Sequence, residues 1–409
     1  MNWHNITKTL GPGILFASTA IGVSHLVQST RAGSEYGFAL LGFVLLANIM
    51  KYPFFEFGSR YANITGETLL EGYFKMSRWV LAAYMIITLL SMFSVVAAVS
   101  YVCSGIMIEL FAIQYNIKFV VLILYVICMG ILIHGKFNIL DNLVKLISII
   151  LLLSTLSAFI LALINGPELK NPDFIKPDIF NKSGILFLIA LMGWMPTAVD
   201  MSVWNSIWTI ERIKQTNYKP LLKETLFDFN IGYILTIILS ICFISLGAIL
   251  MYGTGQVLPD SSSEFAKSLI KLYTESLGEW SYWVIAISAF AVMFSTTIAV
   301  FDGYSRSIHR TTELLFNISK TYIYSIVLLI IGFGSYIIIS NFMTEFKQLI
   351  DIATTVSFLI APFCAIANHL VIHSKDIPLS KRPPYWLKIL SILGIIFLIL
   401  FSIVFILFI

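Results

Sequence analysis

Two of the chain's long apolar segments are interrupted by glycine, proline and small polar residues at the depth where each would cross mid-bilayer. The first reads GPGILFASTAIGVSHLVQSTRAG, Gly11 to Gly33, and the second GILFLIALMGWMPTAVDMSVW, Gly184 to Trp204. A helix broken inside a membrane exposes N–H and C=O groups that lipid cannot satisfy, each a loss of several kcal/mol. Such a break persists only where it lines a cavity or binds something. Breaks at corresponding places in two halves of a chain point to a transporter's substrate site.

The rest of the chain supplies the membrane that this reading needs. Eleven apolar segments lie near 11–32, 38–59, 79–112, 117–135, 142–164, 184–208, 227–252, 280–305, 321–340, 346–372 and 385–408. A helix needs about 20 such residues to cross a hydrocarbon core of roughly 30 Å. The third and tenth are long enough to tilt. With 58% hydrophobic and 12% charged residues, the composition excludes an ordinary soluble globule. The reading is therefore an all-α, multi-pass integral membrane protein of one domain over 1–409, with too little chain between spans for a soluble catalytic domain. The first apolar run is expected to be retained as a span and not cleaved as a signal peptide.

Loop charge sets the orientation. With the N-terminus in the cytoplasm, the inner loops hold Arg60, Lys75, Arg78, Lys136, Arg212, Lys214, Arg306, Arg310 and Lys320 among others, and the outer loops hold few cations diluted by acids. An odd number of spans then leaves the C-terminus outside. A prokaryotic inner or plasma membrane is the expected location. The formal charge of +4 reflects this loop bias and implies no nucleic-acid partner. Cys103, Cys128, Cys242 and Cys364 fall within spans without metal-type spacing. No cofactor is implied.

Five spans, a polar outer loop at 165–183, five more spans and an eleventh helix make up the order. Because five is odd, the second unit enters the membrane from the opposite side. The two units, about 11–164 and 184–372, each begin with a broken helix, the pattern of an inverted repeat. A short surface helix is expected within 253–278, where Phe265, Leu269, Ile270 and Leu272 stand among charges.

GPG at Gly11–Gly13, RAGSEYGF at Arg31–Phe38 and ITGETLLEGY at Ile64–Tyr73 resemble the opening of the NRAMP family of divalent-metal transporters. The resemblance implies a leucine-transporter-type inverted repeat of five plus five helices with an eleventh added, alternating access around a midplane site between spans one and six, and a divalent metal ion as cargo. The chain departs from the family where the ion binds. The family's Asp-Pro-Gly-Asn lands on Gly22, Val23, Ser24 and His25, and its Met-Pro-His-Asn on Met195, Pro196, Thr197 and Ala198. Carried over, the aspartate ligand is lost at Gly22, the asparagine becomes His25, the thioether is kept as Met195, and the backbone carbonyl would come from Met192. The third-span acids tied to proton movement fall on Val99 and Val102. Expected substrate-binding residues are therefore Gly22, Ser24, His25, Met192, Met195, Thr197 and Asp200, with His25 and Met195 as the metal donors.

Burial of an unpaired charge is costly, and hard divalent ions favour carboxylates and water. A site of imidazole, thioether and carbonyls is softer and suits a late metal. A neutral cavity also suits an uncharged or zwitterionic solute, whose carboxylate the half-helix N-terminus at Pro196–Ala198 would receive. His25 either lines the cavity or bonds a neighbouring helix. Intramembrane Lys51, Glu56, Asp200 and Asp302 are functional candidates by their rarity in spans. Asp200, four residues past Pro196, is expected one turn into the second half-helix, either replacing the charge lost at Gly22, carrying a proton, or pairing with Lys51 or a serine. Glu56 and Asp302 are expected to pair with Arg60 and Arg306. Ser295, Thr296 and Thr297 either line a coupling-ion site or pack. Trp194 and Trp204 are expected to pack or anchor.

No nucleotide loop or catalytic triad spacing is present, so transport rather than an enzyme is expected, driven by an ion gradient or the solute's own gradient. Three readings stand: a divalent-metal transporter with a rebuilt, carboxylate-poor site and without the usual proton-coupling acids; a relative carrying a small organic solute and no metal; and a non-transporting sensor that kept the fold.

Overall fold

The computed structural model describes residues 9–134, 137–320, 322–341 and 345–408; Lys136, counted among the inner-loop charges, lies outside them. The described residues form helices and connecting turns, with no strand among them.

The first span is Pro12–Ala20, a break at Ile21–Gly22, a π-helical turn Ser24–Ser29 and Thr30–Tyr36. The sixth is Lys182–Gly193 and Met201–Thr216, separated by the non-helical stretch 194–200. The other spans are continuous: Leu41–Thr65, Arg78–Phe111, Ile117–Ile133, Phe137–Asn165, Leu222–Leu250, Tyr282–Phe316, Tyr322–Asn341, Phe346–Ile372 and Tyr385–Phe408. By length and composition, seven helical stretches among the described residues qualify as membrane crossings, one of them running from Ser24 to Thr65. Shorter apolar helices stand beside them. Large apolar side chains such as Leu90, Val126, Phe333 and Ile406 are exposed on the outside of the bundle, as a lipid solvent requires.

Packing follows the repeat. The seventh span lies against both halves of the first, as the second lies against the second half of the sixth, while the third and eighth pack together at the centre. The first and seventh spans come close through Gly33 and Gly247: a Cβ on Gly33 would stand 2.8 Å from the Ala248 nitrogen, and one on Gly247 2.9 Å from that of Ser34. Small residues at such crossings replace the hydrophobic drive that lipid removes.

Two of the quoted motifs have structural work here. In ITGETLLEGY the second span ends at Gly66, with φ of 76°, and Thr68 caps a short helix, Leu69–Met76, whose Glu71 carboxylate accepts from the Thr68 N–H at 2.9 Å. In RAGSEYGF, Arg31 ties the first span to the tenth through Asp351, at 2.7 and 3.1 Å. The helix within 253–278 is Ser262–Leu277. It is no loose surface element, because Phe265, Leu269, Ile270 and Leu272 are buried and it packs on the third and fifth spans. Glu56 pairs with Arg60, and Asp302 with Arg306 at 2.8 Å, each one helical turn apart.

Candidate functional site

The two breaks meet in the core. Between them is a cavity of about 30 Å³, room for one or two waters or a bare ion. Its wall comes from Thr19, Ala20, Val23 and Ser24 of the first span and Trp194, Thr197, Ala198, Asp200, Met201 and Trp204 of the sixth. Val95 and Val99 of the third span and Thr296, Val300 and Tyr304 of the eighth complete it.

Each break disposes of its freed backbone groups differently. In the first span the Ser18 carbonyl accepts from the Thr296 hydroxyl at 3.1 Å, and the Ala20 carbonyl from the Ser24 hydroxyl at 2.6 Å. In the sixth span the helix stops at Gly193, and the Lys51 ammonium from the second span donates to the carbonyls of Met192 at 2.6 Å and Gly193 at 2.9 Å. Asp200 stands at the cap position of Met201–Thr216, with its carboxylate facing the Met201 N–H and the Tyr304 hydroxyl. A carboxylate at a helix N-terminus is where free N–H groups and the dipole favour negative charge.

The expected site residues divide on this geometry. Ser24, Thr197 and Asp200 line the cavity. Asp200 starts the second half-helix instead of lying one turn inside it, because the break runs two residues past the Pro-Thr-Ala stretch. Gly22 sits at the break; a Cβ there would come within 2.9 Å of Thr296 Cγ2. His25 is fully buried with both ring nitrogens engaged: Nε2 donates to the Thr236 carbonyl at 2.9 Å, and Nδ1 lies 2.7 Å from the Ser24 hydroxyl and 3.0 Å from the Ala20 carbonyl. It packs the break against the seventh span and is absent from the cavity wall. Met195 is also off the wall, its sulfur 3.9 Å from the Ser29 hydroxyl. The Met192 carbonyl is taken by Lys51. The metal-donor pair His25 and Met195 is therefore not brought together at the cavity, because the length of each break rotates the following residues away from the gapless correspondence.

Several wall residues went unread in the sequence. Met201, not Met195, presents the thioether, 3.1 Å from the Thr197 hydroxyl. Tyr304 faces Asp200 from the eighth span, one helical turn beyond Val300. Trp194 and Trp204, expected as packing, are in the wall; Trp194 donates to Ser357 at 2.8 Å, while the Trp204 indole N–H is buried without a partner. The signal for Tyr304 was its offset from Thr296 by two helical turns on the wall-facing side. Of the two third-span positions that the resemblance assigns to acids, Val99 lines the cavity and Val102 does not.

Toward the expected outer face, Arg31 anchors a buried polar network. Its guanidinium, buried, holds Asp351 and the Gln28 amide oxygen at 2.9 Å, and Gln28 in turn donates to Asp351 at 2.9 Å. Beyond this network a funnel of about 1010 Å³ opens, carrying Glu35, Asp260, Glu345 and Lys347 on its walls.

Residues 13–408 match the family described as natural resistance-associated macrophage protein-like. An uncharacterised protein of Pasteurella multocida is 34% identical over 99% of this chain and 93% of its own length. A divalent metal cation transporter of Lacticaseibacillus casei is 23% identical over 62% of this chain, and the match spans 56% of that relative. In three dimensions the chain is similar to the manganese transporter of Eremococcus coleocola, with a TM-score of 0.74 at 14% identity, over 98% of this chain and 86% of that one. It is also similar to MhsT, solved with L-phenylalanine, with a TM-score of 0.59 at 13% identity, over 95% and 98% of the two chains. At these identities the structures speak for the leucine-transporter-type fold.

Proposed function

Since the chain belongs to the natural resistance-associated macrophage protein-like family, we propose that it is a secondary transporter carrying a divalent metal cation by alternating access, at a site rebuilt around Asp200. The observation that carries this reading is the ion-sized cavity where the two breaks meet, walled by one carboxylate, the hydroxyls of Ser24, Thr197, Thr296 and Tyr304, and the Met201 thioether. Oxygen donors with one carboxylate suit a cation that keeps part of its water, and the thioether favours the softer divalent metals. The name of the Lacticaseibacillus relative supports the same cargo class. The Arg31–Asp351 closure would form the outer gate, opening the funnel to the cavity in the outward-facing state. With valines at the family's third-span acids, proton movement by that route has no carrier.

A second reading is supported by the donors around the site. The unpartnered Trp204 N–H in the cavity wall would receive an acceptor-bearing organic solute, and the positive charge of Lys51 behind the break opposes a divalent ion. Uptake into proteoliposomes separates the two. The metal reading expects saturable Mn²⁺ or Fe²⁺ uptake that is lost with Asp200→Asn. Uptake of a small zwitterion with no divalent-ion flux in the parent would replace it with the second reading, and neither flux would leave the sensor.

A further inference from the structure

Lys51 belongs to the second span, yet its amine ends inside the break of the sixth. It is fully buried, the one lysine so placed among the residues whose burial is described. Its nitrogen donates to the carbonyls of Met192 at 2.6 Å, Gly193 at 2.9 Å and, at longer range, Thr197 at 3.5 Å. The carbonyls of Met192 and Gly193 lose their i+4 helical partners where the helix stops at Gly193 and carry the negative end of its dipole; that of Met192 also accepts from the Met195 N–H at 3.3 Å, and that of Thr197 comes from the non-helical stretch. Two close acceptors and a third at longer range around one nitrogen match the three N–H donors of the protonated amine. The Phe358 ring centroid lies 5.9 Å away, and Asp200 supplies the opposite charge on the far side of the break.

Converging backbone carbonyls replacing a hydration shell, with an aromatic ring beside them, are the surroundings that hold a bare monovalent cation. We propose that the carbonyls of Met192, Gly193 and Thr197 form a monovalent-cation site that the chain fills with its own Lys51 ammonium, so that shortening the side chain uncovers a site for ammonium or a small primary alkylammonium ion. The tethered cation keeps the break open by adding a charged donor to carbonyls whose i+4 helical partners the break removes. It also closes the sixth-span carbonyls to any cargo, whatever that cargo is. The inference is therefore independent of the metal reading.

The void left by each variant sets which ion restores it, and that size rule separates a cation site from a general salt effect. Thermal unfolding of the full chain in detergent is followed for the parent, Lys51→Ala and Lys51→Met at constant ionic strength. Lys51→Ala removes stem and charge; it should unfold several degrees below the parent and recover saturably with n-propylammonium. Lys51→Met keeps an apolar stem and should recover with ammonium but not with n-propylammonium. Tetramethylammonium, which has no N–H, should restore neither, and the parent should respond to none of the three. Equal stability of Lys51→Met and the parent, or recovery indifferent to ion size and N–H donors, would overturn the proposal. Should Lys51→Ala not fold, the Lys51→Met titration carries the decision. A separate measurement needs only the parent: nitrogen-15 lysine labelling should show an ammonium resonance protected from solvent exchange, and its absence would equally overturn the proposal.

Discussion

At the first break the freed carbonyls are met by neutral groups: Thr296 on Ser18, Ser24 on Ala20, and an imidazole packed against both Ala20 and Thr236. At the sixth break they are met by charge, with the Lys51 ammonium on Met192 and Gly193 and the Asp200 carboxylate opening the next half-helix. The two halves of one repeat thus solve the same backbone problem with opposite chemistry. The charge that the NRAMP resemblance puts at Gly22 has no place there, since the eighth span fills it with Thr296. Relative to where the NRAMP resemblance puts it, the carboxylate stands at the other break, with a lysine at the same break.

That comparison can be broken by putting the charge back. Gly22→Asp alone forces a side chain against Thr296 and should destabilise the protein by about 1–3 kcal/mol, as overpacking does. Gly22→Asp with Thr296→Ala makes room for the carboxylate, and Mn²⁺ affinity should rise by roughly 10- to 100-fold. Calorimetry and thermal unfolding of the single and double variants read both effects. A double variant that folds and binds no more tightly than the parent would show that the first break cannot serve as a ligand.

The neutral break is sharpened by His25→Ala. With both ring nitrogens engaged by the protein, the residue acts on stability; the loss should be about 1–3 kcal/mol from the Thr236 hydrogen bond removed and the buried void left behind. Mn²⁺ affinity should change by less than about threefold, within the range of indirect effects. Denaturation by heat in detergent, paired with a binding titration, distinguishes this from loss of a ligand. The smallest effect concerns protons. With Val99 at the cavity and Val102 beside it in the core, metal addition to proteoliposomes should acidify the lumen little. Robust acidification abolished by Asp200→Asn would name Asp200 as a replacement proton carrier.

The broken spans, the apolar helices and the family were legible because apolar runs and helix-breaking residues are local signals. At the site, Ser24, Thr197 and Asp200, read from their places beside the breaks, line the cavity. His25 and Met195 lie off its wall, and the gapless correspondence that named them assumes that residues beyond a break keep their rotation. The non-helical stretch 194–200 exchanges Met195 for Met201 at the wall. Lys51 and Tyr304 act across the bundle, and nothing in the local sequence states which facing helix a buried side chain will reach. Glu56 and Asp302 needed only helical spacing, since each partner is four residues on.

The relocation of charge is tested most directly by titrating Mn²⁺ into the purified parent, Asp200→Asn and His25→Ala proteins by calorimetry, with folding of each verified by its unfolding transition. Loss of the one carboxylate in the cavity wall should weaken Mn²⁺ by roughly 100-fold or more, beyond the 10- to 100-fold typical of groups that act behind a ligand. His25→Ala should leave it nearly unchanged. Mn²⁺ binding that survives Asp200→Asn and disappears with His25→Ala would contradict the account.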